Sequence, residues 1–454
     1  VEAPGALSLP DAGVESWGRY PPARQSAVTL DWRDQVFPAP AIPDGLTALP
    51  HGLGRSYGDS CLNDGGALLR THRLDRFIAF DRATGVLRVE GGVSLADIIK
   101  IAVPQGWYLA VTPGTKFVTV AGAIANDVHG KNHHRAGTFG RHVRAFELVR
   151  SDGTRRVCTP TENVEWFRAT IGGLGLTGII TWAEIQLRPV HNAFIQQENI
   201  KFGNLAEFFR LNEESERDFE FTVSWVDCNT RGRSMGRGIY NRGNHASPQF
   251  GPVPPLKAPP PLFVPFDLPG WLLSLPMIKL MSFGWYNKQL RKRRSGLTTF
   301  DPFFYPLDMI HSWNRGYGRA GFFQYQLVVP IADSHAAIQE IFERITASGQ
   351  GSFVSVLKTF GAIASPGMLS FPRPGVTLAL DFSNRGEKTL RFFETLDRVV
   401  EEAGGAVYPA KDARMSGESF RRFFPRWVEF SKYVDPRFSS SFWRRTTAPA
   451  LASR

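Results

Sequence analysis

The chain is predicted to be an α+β protein of two domains. Glycine clusters are confined to its first 180 residues, short β runs and helices follow one another without regular βαβ alternation, and a second strand-rich half lacks such clusters. At 454 residues and 43% apolar content there is material for two cores. A charged fraction of 21% argues for a folded chain. The boundaries are placed at 1–190 for the first domain and 191–405 for the second, with an apolar and basic, flexible insertion near 250–295. Residues 406–454 are expected to return to the first domain.

The first element of note is His51 to Gly66, which holds five glycines among small polar residues. Glycines at 52, 54 and 58 let the backbone approach a ligand and aim successive N–H groups at one anion, and Ser56, Tyr57 and Ser60 add hydroxyl donors. A turn-rich surface loop uses the same residues. Strands at 76–80 and 86–90 then flank the turn Asp81 to Gly85, and Ser94-Leu95-Ala96-Asp97 starts a helix that ends before Pro104 and Gly106.

A second cluster runs from Pro113 to Gly140, where Ala121, Gly122, Ala123 and Ala125 leave room for a flat ring or a diphosphate against the backbone. A strand over 143–150 and a turn at Ser151-Asp152-Gly153 follow. The third cluster is Gly172, Gly173, Gly175 and Gly178. Residues 173–178 match the G-x-G-x-x-G of a nicotinamide site, but here a helical stretch (161–170) precedes and a β run (179–187) follows, the reverse of that motif's context. Three clusters so close together point to one large, extended cofactor.

In the second half, strands are predicted at 221–226, 322–330, 353–360 and 376–382, with helices at 335–347 and 386–403, giving an antiparallel sheet with helices on one face. The apolar run within 250–295 is interrupted by Pro269, Gly270, Pro276 and Lys279, short of the roughly 20 residues needed to cross a bilayer. Followed by Arg291-Lys292-Arg293-Arg294, it suits an anionic membrane surface or the shielding of a lipid tail. A net charge of +11 favours an anionic partner, and no nucleic-acid motif is present. Cys61, Cys158 and Cys228 are odd in number and widely spaced, which suits a reducing compartment and no zinc site; the loop setting of His129, His133 and His134 argues against a metal as well.

Together the glycine segments resemble the vanillyl-alcohol-oxidase-type (PCMH-type) FAD-binding family. The resemblance implies that Gly52, Leu53, Gly54, Arg55, Ser56, Tyr57 and Gly58 hold the FAD pyrophosphate. It implies that Pro113, Gly114, Thr115, Thr119, Gly122, Ala123, Asn126, His129, Gly130, Asn132 and His133 line the ring and ribityl chain. Gly175, Gly178 and Ile179 would close over the nucleotide, and Tyr408 would fold back onto it. Family members with covalent flavin carry a Gly-His-Ser triplet in the first loop. Here it reads Gly54-Arg55-Ser56, so non-covalent FAD is implied.

Five further motifs, Gly52 to Asp59, Asp127 to His134, Tyr305 to Met309, Gln324-Tyr325-Gln326 and Ala410-Lys411-Asp412, narrow the resemblance to one branch. That branch comprises the decaprenylphosphoryl-β-D-ribose 2'-oxidases, the flavin subunits of the epimerases that make an arabinose donor for cell-wall polysaccharide. It implies oxidation of the ribose 2'-hydroxyl of a polyprenyl-phosphate sugar, a separate NADH-dependent short-chain dehydrogenase, and a peripheral place on the cytoplasmic or periplasmic face of the inner membrane. Lys411, Tyr57 and His129 are the catalytic candidates, Lys411 for electrostatic or base work. Tyr305, Asn314, Gln326, Lys358, Ala379 and Lys411 are the candidates for substrate contact. The branch often reads Asn-x-Cys-Val-Asp-Phe where this chain has Thr377 to Phe382, so no thiol is expected to face the flavin pocket, and resistance to the covalent nitroaromatic inhibitors that target that cysteine is expected. A soluble FAD alditol or aldonolactone oxidase using oxygen is the alternative.

Overall fold

The computed structural model describes residues 12–35, 45–250 and 262–451. Strands β1 (Ser26–Thr29), β2 (Ala48–His51) and β3 (Ala67–Arg70) form a small parallel sheet with β3 in the middle. Leu49, Leu68 and Leu69 are fully buried, as parallel strands covered on both faces require. Parallel strands cannot be joined by a tight hairpin, so the chain between β2 and β3 must cross over. That crossover is the first glycine loop.

Beside it stands a six-stranded antiparallel sheet of β4 (Phe77–Asp81), β5 (Val86–Glu90), β6 (Trp107–Leu109), β7 (Val143–Val149), β8 (Arg155–Cys158) and the long β9 (Ile179–Pro189). The β4–β5 turn closes at Gly85, whose φ is +73° and where a Cβ would lie 2.1 Å from the Trp107 ring, so only glycine fits. Helix α1 (Leu95–Ala102) begins where the Ser94 hydroxyl accepts from the Asp97 N–H, an N-cap of the kind the sequence predicts. Short helices α2 (Val120–Ala125) and α3 (His133–Ala136) carry the second cluster. The third cluster lies between α4 (Val164–Thr170) and β9, so the helix precedes and the strand follows.

The second half is built on an eight-stranded sheet. Its strands are β10 (Phe194–Phe202), β11 (Phe221–Val226), β12 (Gly238–His245), β14 (Arg293–Thr299), β16 (Phe322–Val329), β17 (Ser355–Phe360), β18 (Gly375–Ser383) and β19 (Ala406–Val407), in the spatial order β14-β10-β12-β11-β17-β18-β16-β19. All its pairings are antiparallel. Helices α5 (Leu205–Glu216), α8 (Ser334–Ser348) and α9 (Glu387–Glu402) pack side by side on one face. α9 shows why: Phe392, Phe393, Leu396, Val399 and Val400 recur at helical spacing and are buried, each contributing about 1.5–3 kcal/mol relative to exposure.

The insertion is more structured than a flexible loop. Its described part holds β13 (Leu262–Phe263), α6 (Leu275–Asn287) and β14, and β14 supplies an edge of the large sheet by pairing with β10. Residues 251–261, the proline-rich part of the insertion, lie outside the described residues. Helix α7 (Phe300–Phe304) and β15 (Ile310–His311), which pairs in parallel with β13, lead back to β16. Ala406 and Val407 still pair with β16, so the chain leaves the large sheet only at Tyr408. Helices α10 (Gly417–Phe423), α11 (Trp427–Ser431) and α12 (Ser441–Leu451) complete it, and Phe438 bridges back to Ala48 of β2.

Candidate active site

A cavity of about 520 Å³ lies between the glycine loops and the sheet face opposite the helices. One wall is Gly52 to Tyr57, with Pro113 to Thr115, Thr119, Gly122, Asn126, Gly175, Gly178 and Ile179. Among the described residues, the N–H groups of Leu53, Gly54, Arg55 and Ser56 meet no protein acceptor. Both His51 ring nitrogens and the Ser60 hydroxyl are likewise buried without a partner. Such a row of donors is the nest that a pyrophosphate satisfies, and the residues present fit FAD.

The opposite wall follows from strand alternation. Gln324 and Gln326 on β16, Thr377 and Ala379 on β18, and Val356 and Lys358 on β17 all line the cavity, because residues two apart share a face. Lys358 is therefore not a solvated strand-end lysine. Its Nζ lies 3.0 Å from His129 Nδ1 and donates to the Gly130 carbonyl at 3.1 Å. The Gln326 amide lies 3.1 Å from the other nitrogen of His129 and donates to Thr377 Oγ1 at 3.3 Å. Burial first, then the charge on Lys358, drives the His129 pKa well below 6.5, so the imidazole is neutral at pH 7. Burial, with Lys131 and Lys411 nearby, brings Lys358 down to about 7.

Lys411 enters from the turn after β19, its Nζ 3.7 Å from the centre of the Tyr57 ring. Burial lowers it to about 7, against the pull of Asp381. Asp381, two residues beyond Ala379 on the same strand face, is itself raised to about 7 by burial. It accepts from Gln324 at 2.6 Å, while its second oxygen is buried without a partner. Burial also raises Tyr57 well above 10, so its phenol stays protonated.

The Lys411 turn is fastened to the first loop at three points. The Tyr57 N–H donates to the Ala410 carbonyl at 2.9 Å. A Cβ at Gly58 would stand 1.8 Å from the Asp412 carbonyl oxygen, so Gly58 serves a backbone contact rather than the cavity wall. Arg445 of α12 grips Asp59 through two nitrogens at 2.9 and 2.8 Å and reaches Asp412 at 3.0 Å. Lys411 is thereby positioned by a segment far from it in sequence.

Several predicted residues are not brought to the cavity. Ala123 is core. Gly130 contributes its carbonyl to Lys358 but does not line the cavity. Asn132 is turned away to the Ala110 carbonyl, and His133 packs on the Phe360 ring 4.5 Å away. Tyr305 is fully buried with its hydroxyl bonded to Tyr108 and Thr112, and Asn314 donates to the Trp17 carbonyl. Tyr408 does line the cavity and donates to the Asn126 carbonyl. Sequence reasoning missed Trp17, His51, Asp308, Trp313, Thr377 and Asp381. Only the last two had a signal, the period-two spacing with Ala379. No group of His, Cys, Asp or Glu suited to a metal ion occurs among the described residues.

A glycine-nest wall opposed to a sheet face bearing buried lysines and a neutral histidine defines an FAD-dependent oxidoreductase of PCMH-type fold. Residues 43–159 match the family model described as FAD binding domain, and FAD is the cofactor. The chain is 38% identical over 452 residues to the decaprenylphosphoryl-β-D-ribose oxidase of Mycolicibacterium smegmatis, covering 94% of this chain and 96% of that one. An uncharacterized Streptomyces coelicolor protein encoded 5' of mprA is 32% identical over 78% of this chain and 99% of its own length. The human Δ24-sterol reductase is similar only over 27% of this chain and 25% of its own, at 31% identity. The chain belongs to the decaprenylphosphoryl-β-D-ribose oxidase family.

Proposed function

We propose that this protein oxidises the 2'-hydroxyl of a polyprenylphosphoryl-β-D-ribose to the 2'-keto sugar, the first half of an epimerisation to the arabinose donor. The observation that carries this is the convergence of Lys411, Lys358, neutral His129 and Gln326 on one cavity walled by the glycine nest. Bound FAD supplies the hydride acceptor for the carbinol carbon. Lys411 Nζ, titrating near 7, takes the hydroxyl proton in its neutral form; the resulting ammonium, beside Asp381, offsets the negative charge that hydride acceptance leaves. Gln326 and the His129–Lys358 pair hold the sugar hydroxyls and orient the carbon. The flavin is held without a covalent bond, so acid-precipitated protein should be colourless and the supernatant yellow.

Reduction of the keto sugar from the other face needs a second protein, a separate NADH-dependent short-chain dehydrogenase. A lipid-borne substrate places the enzyme peripherally at a membrane. No described helix is long and apolar enough to cross one. The test is anaerobic bleaching of the flavin band by a detergent-dispersed polyprenylphosphoryl-ribose, with free ribose and xylitol as controls. Bleaching by the lipid phosphate alone is expected; bleaching by free polyol would replace this reading with an alditol oxidase.

A further inference from the structure

The exposed apolar side chains of the described surface are unevenly placed. Of fifteen large exposed hydrophobics, nine fall between residues 262 and 297: Leu262, Phe263, Phe266, Trp271, Leu280, Phe283, Trp285, Leu290 and Leu297. Scattered single apolar residues are normal on any surface, whereas such a concentration marks an interaction site. Helix α6 shows the pattern directly. It buries Ile278 and Ser282 on one side and exposes Lys279, Leu280 and Phe283 on the other.

The charge along this strip is almost wholly of one sign: its single acid, Asp267, is held by Arg19 and Arg319. From Leu268 to Phe300 there is no acidic residue, while Lys279, Lys288, Arg291, Lys292, Arg293 and Arg294 supply six positive charges. Among the described residues, Lys292 is the only one of these six in an ion pair, with Glu207. Lys288 sits over the Trp285 ring. Aromatic and aliphatic groups beside unpaired basic ones match the boundary between acyl chains and anionic headgroups.

The strip is also continuous with the cavity at two places. Leu262 and Phe263 pair in parallel with Ile310 and His311, which line the cavity, and the Val264 N–H donates to the His311 carbonyl. At the other, Trp285 of α6 meets the Phe353 ring edge-on at 6.1 Å, and the neighbouring Val354 lines the cavity.

We propose that the 262–297 surface, led by Trp271, Leu280 and Phe283 with the flanking basic residues, docks on an anionic phospholipid bilayer and sets the cavity mouth against it. This rests on the lipid-linked substrate read above. A polyprenyl tail then stays in the membrane while its sugar phosphate enters the cavity beside β15.

The test uses the FAD-loaded enzyme in flotation with vesicles of phosphatidylcholine alone or mixed equally with phosphatidylglycerol. Wild type should float with the anionic vesicles only. Combined substitution of Trp271, Leu280 and Phe283 by serine should cut that partition at least about tenfold, and Lys279→Glu with Arg291→Glu should cut it by roughly fivefold per charge. All these positions are exposed, and bleaching by detergent-dispersed substrate should be unchanged. The proposal is overturned if wild type floats with neither vesicle, or if the variants float as wild type does. It is equally overturned if the serine variant only turns a dimer into a monomer on gel filtration, which would make the strip a contact between copies of this chain. Vesicle binding without any bleaching by the lipid phosphate would sink the catalytic reading and leave the docking surface standing.

Discussion

The two faces of the eight-stranded sheet are made by the same strands and serve opposite ends. Toward the helices, β18 presents Leu378, Leu380 and Phe382 and β16 presents Phe323, Tyr325 and Leu327, all buried in one apolar cluster. On the opposite face the intervening residues are polar or small: Thr377, Ala379, Gln324 and Gln326 line the cavity, and Asp381 lies behind Gln324, which donates to it. A strand fixed in register by one face has its other face fixed at no further cost, because successive side chains point opposite ways. Precise placement of the polar groups is thus a by-product of core packing.

The sharpest way to break this relation is to damage the apolar face alone. Leu380→Ala, at a fully buried position, should cost about 2–5 kcal/mol in urea unfolding, with the loss of substrate oxidation following the unfolded fraction. Next in size, Lys411→Met should lower kcat/KM by roughly 10²–10³-fold while leaving bound flavin and the unfolding midpoint near wild type. A stability loss in Lys411→Met comparable to that of Leu380→Ala would show that the cavity face is structural after all.

A smaller effect is readable in pH. Neutral Lys411 is the reactive form, so kcat/KM should rise with pH through about 7. The Asp381 carboxylate raises the Lys411 pKa, so Asp381→Asn should move that limb to lower pH. Stability carries the opposite sign for the acid: folded Asp381 keeps its proton up to about 7, whereas an unfolded Asp loses it near 3.8. At this group the folded state therefore binds more protons in that window, so its own contribution to stability falls as pH rises across it, and the stability of wild type relative to Asp381→Asn should fall with pH over that range. An unmoved limb would remove Asp381 from the account.

The smallest perturbation is Ala379→Cys. It should cost under about 1.5 kcal/mol and give the protein a stoichiometric mass adduct with nitroaromatic inhibitors that wild type does not form. Cys61, the cysteine that does line the cavity, is pushed up to about 12 by burial and stays a protonated thiol. An adduct on wild type would contradict this.

Much of the glycine half was legible because its signals are local. The Ser94 cap, the Gly85 turn and the helix-before-strand order around Gly173 to Gly178 each depend on residues a few positions apart. The site was legible only in part. Tyr305 carried the composition of a sugar-binding residue, yet its hydroxyl is consumed by Tyr108 and Thr112 from another strand and loop. Asp381 was passed over because an acid in an apolar strand reads as a surface residue until Ala379 is known to face the cavity.

The α+β class, the glycine-rich form of the first loop, the Gly54-Arg55-Ser56 triplet in place of a covalent-flavin histidine and the basic character of the 250–295 region were readable along the chain, since all of these are matters of residue type and short spacing. Chain closure alone buries Lys358 against His129, ties Asp59 to Asp412 through Arg445, and brings Asp381 within electrostatic reach of Lys411. Those relations join segments up to several hundred residues apart. Their pKa shifts come from burial, which exists only once the sheet, the loops and the C-terminal helices have closed on one another.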